Sequence, residues 1–274
     1  LRYILNDHNL KLEIMKRILI PTDFSIVADN AIEYALALPK EGVQEVLLLH
    51  AGANIDEKFI KLNKQANRLS ERFKTEIINS EEPFSSEMIK ETINSRFIDF
   101  MVMGTSGEEG SITKKIFGNH TSSIIDDLNC PVIVVPVDYV GKGITKIGYA
   151  SDFTDLEDEA KQVISFAKTF NAAIEVLHVV PVYPDLYDTE KIDIEAKINQ
   201  IKKKFEYSNI QYVIEETQND NQIRKGIEQF VEHYTPDLLV MFHQKREDID
   251  KLFSPSATAN MITHLEMPLL IFPK

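Results

Sequence analysis

Two stretches decide the fold: Lys16-Arg-Ile-Leu-Ile-Pro-Thr-Asp-Phe-Ser25 and, half a chain later, Lys146-Ile-Gly-Tyr-Ala-Ser-Asp-Phe-Thr154. Each is a short apolar run that stops at Asp-Phe-Ser/Thr. A run without polar alternation reads as a strand covered on both faces, the habit of parallel sheets. The hydroxyl and carboxylate that follow are helix-start residues, so Asp23 or Ser25 is expected to cap a helix.

The echo continues along the chain. Val46-Leu-Leu-Leu-His50 matches Ile174-Glu-Val-Leu-His178, and Phe100-Met-Val-Met103 matches Leu238-Leu-Val-Met241. Cys130-Pro-Val-Ile-Val-Val-Pro136 matches Met267-Pro-Leu-Leu-Ile-Phe-Pro273. One register, with small insertions, accounts for every pair, so the chain is an internal repeat. The first-half strands are expected near 16–21, 45–50, 73–78, 99–103 and 131–135. Ala28, Ala31, Ile32, Ala35 and Leu38 are spaced as one buried helix face, as are Leu156, Ala160, Val163, Ile164 and Ala167 in the second half. Ile60, Leu62, Ala66 and Leu69, and Ile223, Ile227, Phe230 and Val231, predict further helices. Strands alternating with helices give an α/β fold with a parallel sheet. Gly141-Lys-Gly143 is a short joint, which divides the chain into units 15–140 and 141–274.

Composition narrows the function. At 274 residues the length suits about two domains. The hydrophobic share of 43% and charged share of 27% are those of a chain that folds. No apolar run approaches the ~20 residues of a membrane span. A net charge of −13 repels nucleic acid and anionic membranes, so neither is expected as a partner. The single cysteine, Cys130, precludes an internal disulfide and suits a reducing, cytoplasmic setting. It reads as a small buried hydrophobe. Residues 1–14 show no signal-peptide pattern and are set aside as an upstream extension.

In an open parallel sheet, ligands sit beyond the carboxyl ends of the strands, where strand order reverses. The stretch after the fourth strand stands out there, because four of the ten glycines fall between Gly104 and Gly118. Backbone N–H groups freed of side chains can approach a phosphate, and a helix starting near Thr121 and Ser122 would favour an anion. Lys114 and Lys115 add local positive charge; a flexible turn with a helix cap is the plainer alternative. No P-loop, dinucleotide fingerprint, nucleophile elbow or paired-histidine metal motif is present in the sequence. His50 and His178 recur at strand ends and read as structural. His120, in the glycine stretch, is open between ligand contact and loop surface.

With these residues in view, the chain resembles the universal stress protein family in its tandem form. Ile-Leu-Ile-Pro-Thr-Asp-Phe-Ser25, Leu-Leu-Leu-His50, Asp99-Phe-Met-Val-Met-Gly-Thr105 and Asn129-Cys-Pro-Val-Ile-Val-Val-Pro136 carry the likeness. The resemblance implies two tandem five-stranded parallel open sheets of strand order 3-2-1-4-5, like those of the adenine nucleotide alpha hydrolases. It also implies that the strands of 131–135 and 268–272 pair, making an intrachain pseudo-dimer, with a further homodimer as an option. ATP-binding members carry Gly-x2-Gly-x9-Gly-Ser/Thr; here Gly104-x2-Gly107 is followed, after ten residues, by Gly118-Asn119, with Thr121 two positions on. Carried over, Asp23 would meet the ribose or adenine, supported by Pro21 and Thr22, and Ala51 would line the adenine pocket. Met103, Gly104 and Gly107 would border ribose and phosphates, and Gly118, Asn119 and His120 would hold the phosphates. The implied ligand is ATP, with ADP or AMP as alternatives and Mg2+ as its companion.

The second half departs from this pattern. Phe242, Lys245 and Pro255 stand where Gly104, Gly107 and Gly118 do. Proline removes a donor, and Phe242 is expected to put a side chain where backbone and ligand would meet. The second half is therefore expected not to bind ATP in the family manner and to serve mainly as a structural pseudo-dimer partner. Three functions follow: a cytoplasmic stress-response sensor or adaptor that binds an adenine nucleotide and acts on an unknown protein partner; a chaperone-like or signalling scaffold that binds none; or an ATP pyrophosphatase. The third lacks its Ser-Gly-Gly-type loop after strand 1. No nucleophile–base or metal constellation marks an enzyme, which leaves at most a slow hydrolysis of bound ATP.

Overall fold

The computed structural model describes residues 16–40, 42–52, 55–104, 128–139, 141, 143–181, 187–218, 223–243 and 267–274. Ten strands lie in chain order: β1 (Arg17–Pro21), β2 (Glu45–Ala51), β3 (Lys74–Ser80), β4 (Phe100–Gly104), β5 (Val132–Val135), β6 (Lys146–Ala150), β7 (Ala173–Pro181), β8 (Ile210–Thr217), β9 (Leu238–His243) and β10 (Leu269–Pro273). The described helices are α1 (Ile26–Ala37), α2 (Ile55–Ser70), α3 (Ser86–Arg96), α4 (Leu156–Phe170), α5 (Tyr187–Lys204) and α6 (Ile223–Tyr234). The strands form one sheet in the order β3-β2-β1-β4-β5-β10-β9-β6-β7-β8. Each half thus has the order 3-2-1-4-5, all parallel within itself. The two fifth strands meet antiparallel, Leu270 opposite Ile133, and join the two five-stranded sheets into a single surface.

Burial follows position in the sheet. β4, β5 and β9 are buried at every residue, whereas β3 and β8, at the two edges, are largely half-exposed. One face packs Ala31, Ile32, Leu62 and Ala66 of α1 and α2, and Val163, Ile164, Ile194 and Ile198 of α4 and α5. The other packs Ile89 and Ile93 of α3 and Ile227 and Phe230 of α6. Each fully buried aliphatic side chain of this kind contributes about 1.5–3 kcal/mol. The α2 stripe is narrower than the sequence predicts. Leu62, Ala66 and Leu69 share the buried face, while Ile60 is 74% exposed because it falls off the 62-66-69 spacing.

Two aspartates fix the register of the inner strands. Asp99 accepts from the Arg17 amide at 2.9 Å. Asp237, its counterpart, accepts from the Thr145 and Lys146 amides at 2.8 and 3.0 Å. Each ties the start of a fourth strand to the start of a first strand. Cys130 is buried, and burial, aided by the Asp99 charge, pushes its thiol up to about 12. It is inert packing. Among the described residues no helix is long and apolar enough to cross a membrane, and no His/Cys/Asp/Glu cluster could hold a metal ion.

Candidate functional site

The β1–α1 loop stands at the point where strand order reverses, with β2 on one side of β1 and β4 on the other. Its turn is built twice in the molecule. Thr22 Oγ1 accepts from the Phe24 amide at 3.1 Å, and Asp23 Oδ1 accepts from the Ser25 amide at 3.0 Å. The Ser25 hydroxyl also donates to Asp23 Oδ1. Ser151 and Asp152 do the same for Phe153 and Thr154, at 3.1, 2.9 and 2.7 Å. These bonds hold Phe24 and Phe153 in the left-handed region, at φ 65° and 64°. A bulky residue there costs roughly 1–3 kcal/mol, which the two side-chain turns and ring packing offset.

The rings rest on the two repeated histidines. Phe24 packs on His50 at 4.5 Å between centroids, and Phe153 on His178 at 4.8 Å. His50 Nδ1 lies 2.9 Å from the Thr22 carbonyl, and His178 Nδ1 lies 2.9 Å from that of Ser151. A carbonyl only accepts, so each Nδ1 carries the proton. Both histidines are therefore turn supports, as their recurrence implied. Thr22 is buried, donating to Gln65 Oε1 at 2.9 Å, and Gln65 Nε2 donates to Asp29 at 2.7 Å. Thr22 thus braces the loop, directly after Pro21 at the end of β1.

Asp23 is exposed, and among the described residues its Oδ2 has no partner. Ala51 is half-buried at the end of β2, and Gly52 follows at φ 136° with the Lys58 ammonium close by. Sequence reasoning missed Lys58. It sits in a helix with no motif of its own and nears the strand end only because α2 folds back beside β2. Met103 is buried at the end of β4. Gly104 is required by α1, since a Cβ there would stand 2.0 Å from the Val27 carbonyl oxygen. Pro21, Thr22, Asp23, Ala51, Met103 and Gly104 are thus gathered at the carboxyl ends of β1, β2 and β4. Gly107, Gly118, Asn119, His120 and Thr121, together with Lys114 and Lys115, lie outside the described residues, as do Lys245 and Pro255.

In the second half, Phe242 occupies the place of Gly104. The registers Ile18–Phe100 and Ile147–Leu238 make the two positions equivalent. Its ring does not stand at the ligand crevice, contrary to the expectation from sequence. It is buried in the core, edge-on to Tyr149 at 5.8 Å and stacked on Phe272 at 5.0 Å. The physical reason is strand alternation. Position 242 shares a face with Val240, which points beneath α4.

The model of the universal stress protein family matches residues 52–136 and 143–273. The universal stress protein MJ0577 of Methanocaldococcus jannaschii is 28% identical over 156 residues, covering 44% of this chain and 94% of that protein. A universal stress protein structure from Archaeoglobus fulgidus covers 97% of this chain and 98% of its own, with a TM-score of 0.64 at 19% identity. The functionally unknown protein PA1789 of Pseudomonas aeruginosa PAO1 gives a TM-score of 0.68 at 15% identity, covering 96% of this chain and 94% of that one. The two structures share the fold across both halves. With its repeated Asp-Phe-Ser/Thr turns and two family matches in tandem, the chain belongs to the universal stress protein family.

Proposed function

We propose that the first half, 15–140, binds an adenine nucleotide at the carboxyl ends of β1, β2 and β4, and that the chain acts as a non-catalytic stress-response sensor or adaptor in the cytoplasm. The ligand is ATP, with ADP or AMP as alternatives and Mg2+ accompanying it. The observation that carries this is the Asp23 carboxylate. One oxygen builds the turn and the other is exposed at the point where strand order reverses, where it can accept from a ribose hydroxyl or an adenine amine. Lys58 beside Gly52 offers a cation on the β2 side. Gly107, Gly118, Asn119, His120 and Thr121 would hold the phosphates. The half from 141 to 274 serves as the structural partner across the β5–β10 seam.

Equilibrium dialysis of the full chain against ATP tests this. Asp23→Asn keeps Oδ1 as the turn acceptor but removes the charge and puts an amide NH2 donor where the ligand-facing Oδ2 acceptor stood. About a tenfold loss of affinity is expected, the scale of one charged hydrogen bond. Unchanged affinity removes Asp23 from the site.

One observation favours a second reading, a scaffold that binds no nucleotide. The same Asp turn is built in the second half, whose sequence lacks the glycine stretch, so the turn alone serves architecture. Absence of binding at millimolar ATP selects that reading.

A further inference from the structure

We infer that the open edge of β8 pairs with the same edge of a second copy of this chain, antiparallel about a two-fold axis at Val213. The ten-stranded sheet has two edges, β3 at one end and β8 at the other. An open edge presents a row of backbone donors and acceptors to any strand that fits it. The two edges differ in how they are guarded.

On β3 the charges stand within the strand. Lys74 pairs with Glu45 at 2.6 Å, and Glu76 pairs with Arg96 at 3.0 Å. Charged side chains of this kind keep edges from joining. β8 opens instead with five uncharged residues, Ile210-Gln-Tyr-Val-Ile214, and contains no proline. Tyr212, Val213 and Ile214 are half-buried, and Glu215 and Glu216 come only after them. Tyr212 and Ile214 lie on the face that α5 covers, and Val213 on the face that α6 covers.

The backbone shows which groups are on offer. The Ile174 amide of β7 donates to the Asn209 carbonyl at 2.9 Å, and Ile174 stands beside Ile210 in the register. In a parallel pair, alternate residues turn both amide and carbonyl towards the same neighbour. Gln211, Val213 and Glu215 therefore face β7. Tyr212 and Ile214 turn theirs to the open edge, where no described residue meets them.

A two-fold axis perpendicular to the sheet keeps each face continuous, so opposed residues share a face. Centred on Val213, it sets Tyr212 against Ile214 of the second copy, and Gln211 against its Glu215. An aromatic ring against a β-branched chain stabilises an antiparallel pair, and an amide can donate to a facing carboxylate. Tyr212 and Ile214 then exchange amide and carbonyl bonds on both sides of the axis, while the two Val213 residues form a close pair without bonds. Centring on Ile214 would set Glu215 against Val213 and Glu216 against Tyr212. Centring on Tyr212 would set Gln211 against Val213. From 211 to 215, the Val213 register matches polar with polar and apolar with apolar. This match of the edge to itself identifies the occupant as a second copy.

Sedimentation equilibrium of the full chain at micromolar concentration is expected to show a dimer. Tyr212→Pro removes an outward donor without touching a bond to β7, a position where a sheet tolerates proline. Dimer affinity should fall at least about tenfold, because the axis removes the bond twice. Val213→Cys reads the register and does not depend on how well the proline variant folds. The Cα atoms of a pair without hydrogen bonds lie about 4.5 Å apart, within reach of a disulfide. Mild oxidation should therefore link two chains of Val213→Cys. Gln211→Cys should stay unlinked, since the two copies of that position would lie roughly 13 Å apart along the strands. Cys130 is buried and does not compete. A monomeric chain, which would leave the edge to an extended segment of another protein, overturns the pairing. So does a dimer that Tyr212→Pro leaves intact, an absence of linkage in Val213→Cys, or equal linkage in Gln211→Cys.

Discussion

Gly104 and Phe242 hold the same place in the two halves, each following a methionine at the carboxyl end of a fourth strand. In the first half α1 sits so low on the sheet that a Cβ at position 104 would meet the Val27 carbonyl at 2.0 Å. In the second half the space beneath α4 admits a whole phenyl ring, stacked on Phe272. One turn sequence therefore launches two helices seated at different depths, and the fourth strand decides which. The glycine serves helix seating first; its value to a ligand is a consequence of the low helix and short backbone it permits.

Removing the ring should break this comparison most visibly. Phe242→Ala should cost about 3–5 kcal/mol, because a buried ring leaves a cavity between Tyr149, Phe272 and α4. Chemical denaturation of the full chain would measure it, and a loss below about 1 kcal/mol would mean that α4 drops onto β9 as α1 does onto β4. The opposite change is expected to be smaller but still large. Gly104→Ala should cost about 1–3 kcal/mol by overpacking against the α1 backbone. It should also weaken ATP binding if the proposed site holds, since the Asp23 loop leads directly into the displaced helix. A stability loss without a change in binding would separate the helix seat from the ligand.

Much of this was legible from the residues. The strand runs, the Asp-Phe-Ser/Thr echoes and the Cys130-Pro and Met267-Pro strand starts located every inner strand, because parallel-sheet cores are written as local apolar runs. The fifth-strand pairing followed from family resemblance, and β5 and β10 do pair. Three features had no local signature. The destination of Phe242 depends on helix depth, which no run of residues encodes. Lys58 nears Gly52 only through the fold-back of α2. The Glu159–Lys274 contact joins a helix turn to a strand end far along the chain, and each residue alone reads as ordinary surface charge. The exposed Ile60 shows the converse, an apolar residue near a stripe yet off its face.

The smallest expected difference lies at the helix starts, and it can be read through salt. Ser25 caps α1 by accepting from the Ala28 amide at 3.3 Å, whereas Asp155, before α4, makes no capping bond and instead pairs with Lys274. Ser25→Ala should cost about 1 kcal/mol, the usual value of a lost cap. Asp155→Ala should cost only a few tenths to about 1 kcal/mol, as exposed pairs do. The two losses have different physical origins. A neutral cap bond is indifferent to ionic strength, while an exposed ion pair is screened once the Debye length falls to about 3 Å near 1 M salt. Thermal unfolding in low and high salt should therefore leave the Ser25→Ala deficit in place and erase most of that of Asp155→Ala. A salt-independent loss at Asp155 would show that its carboxylate supports α4 by a bond within the helix start and not through Lys274.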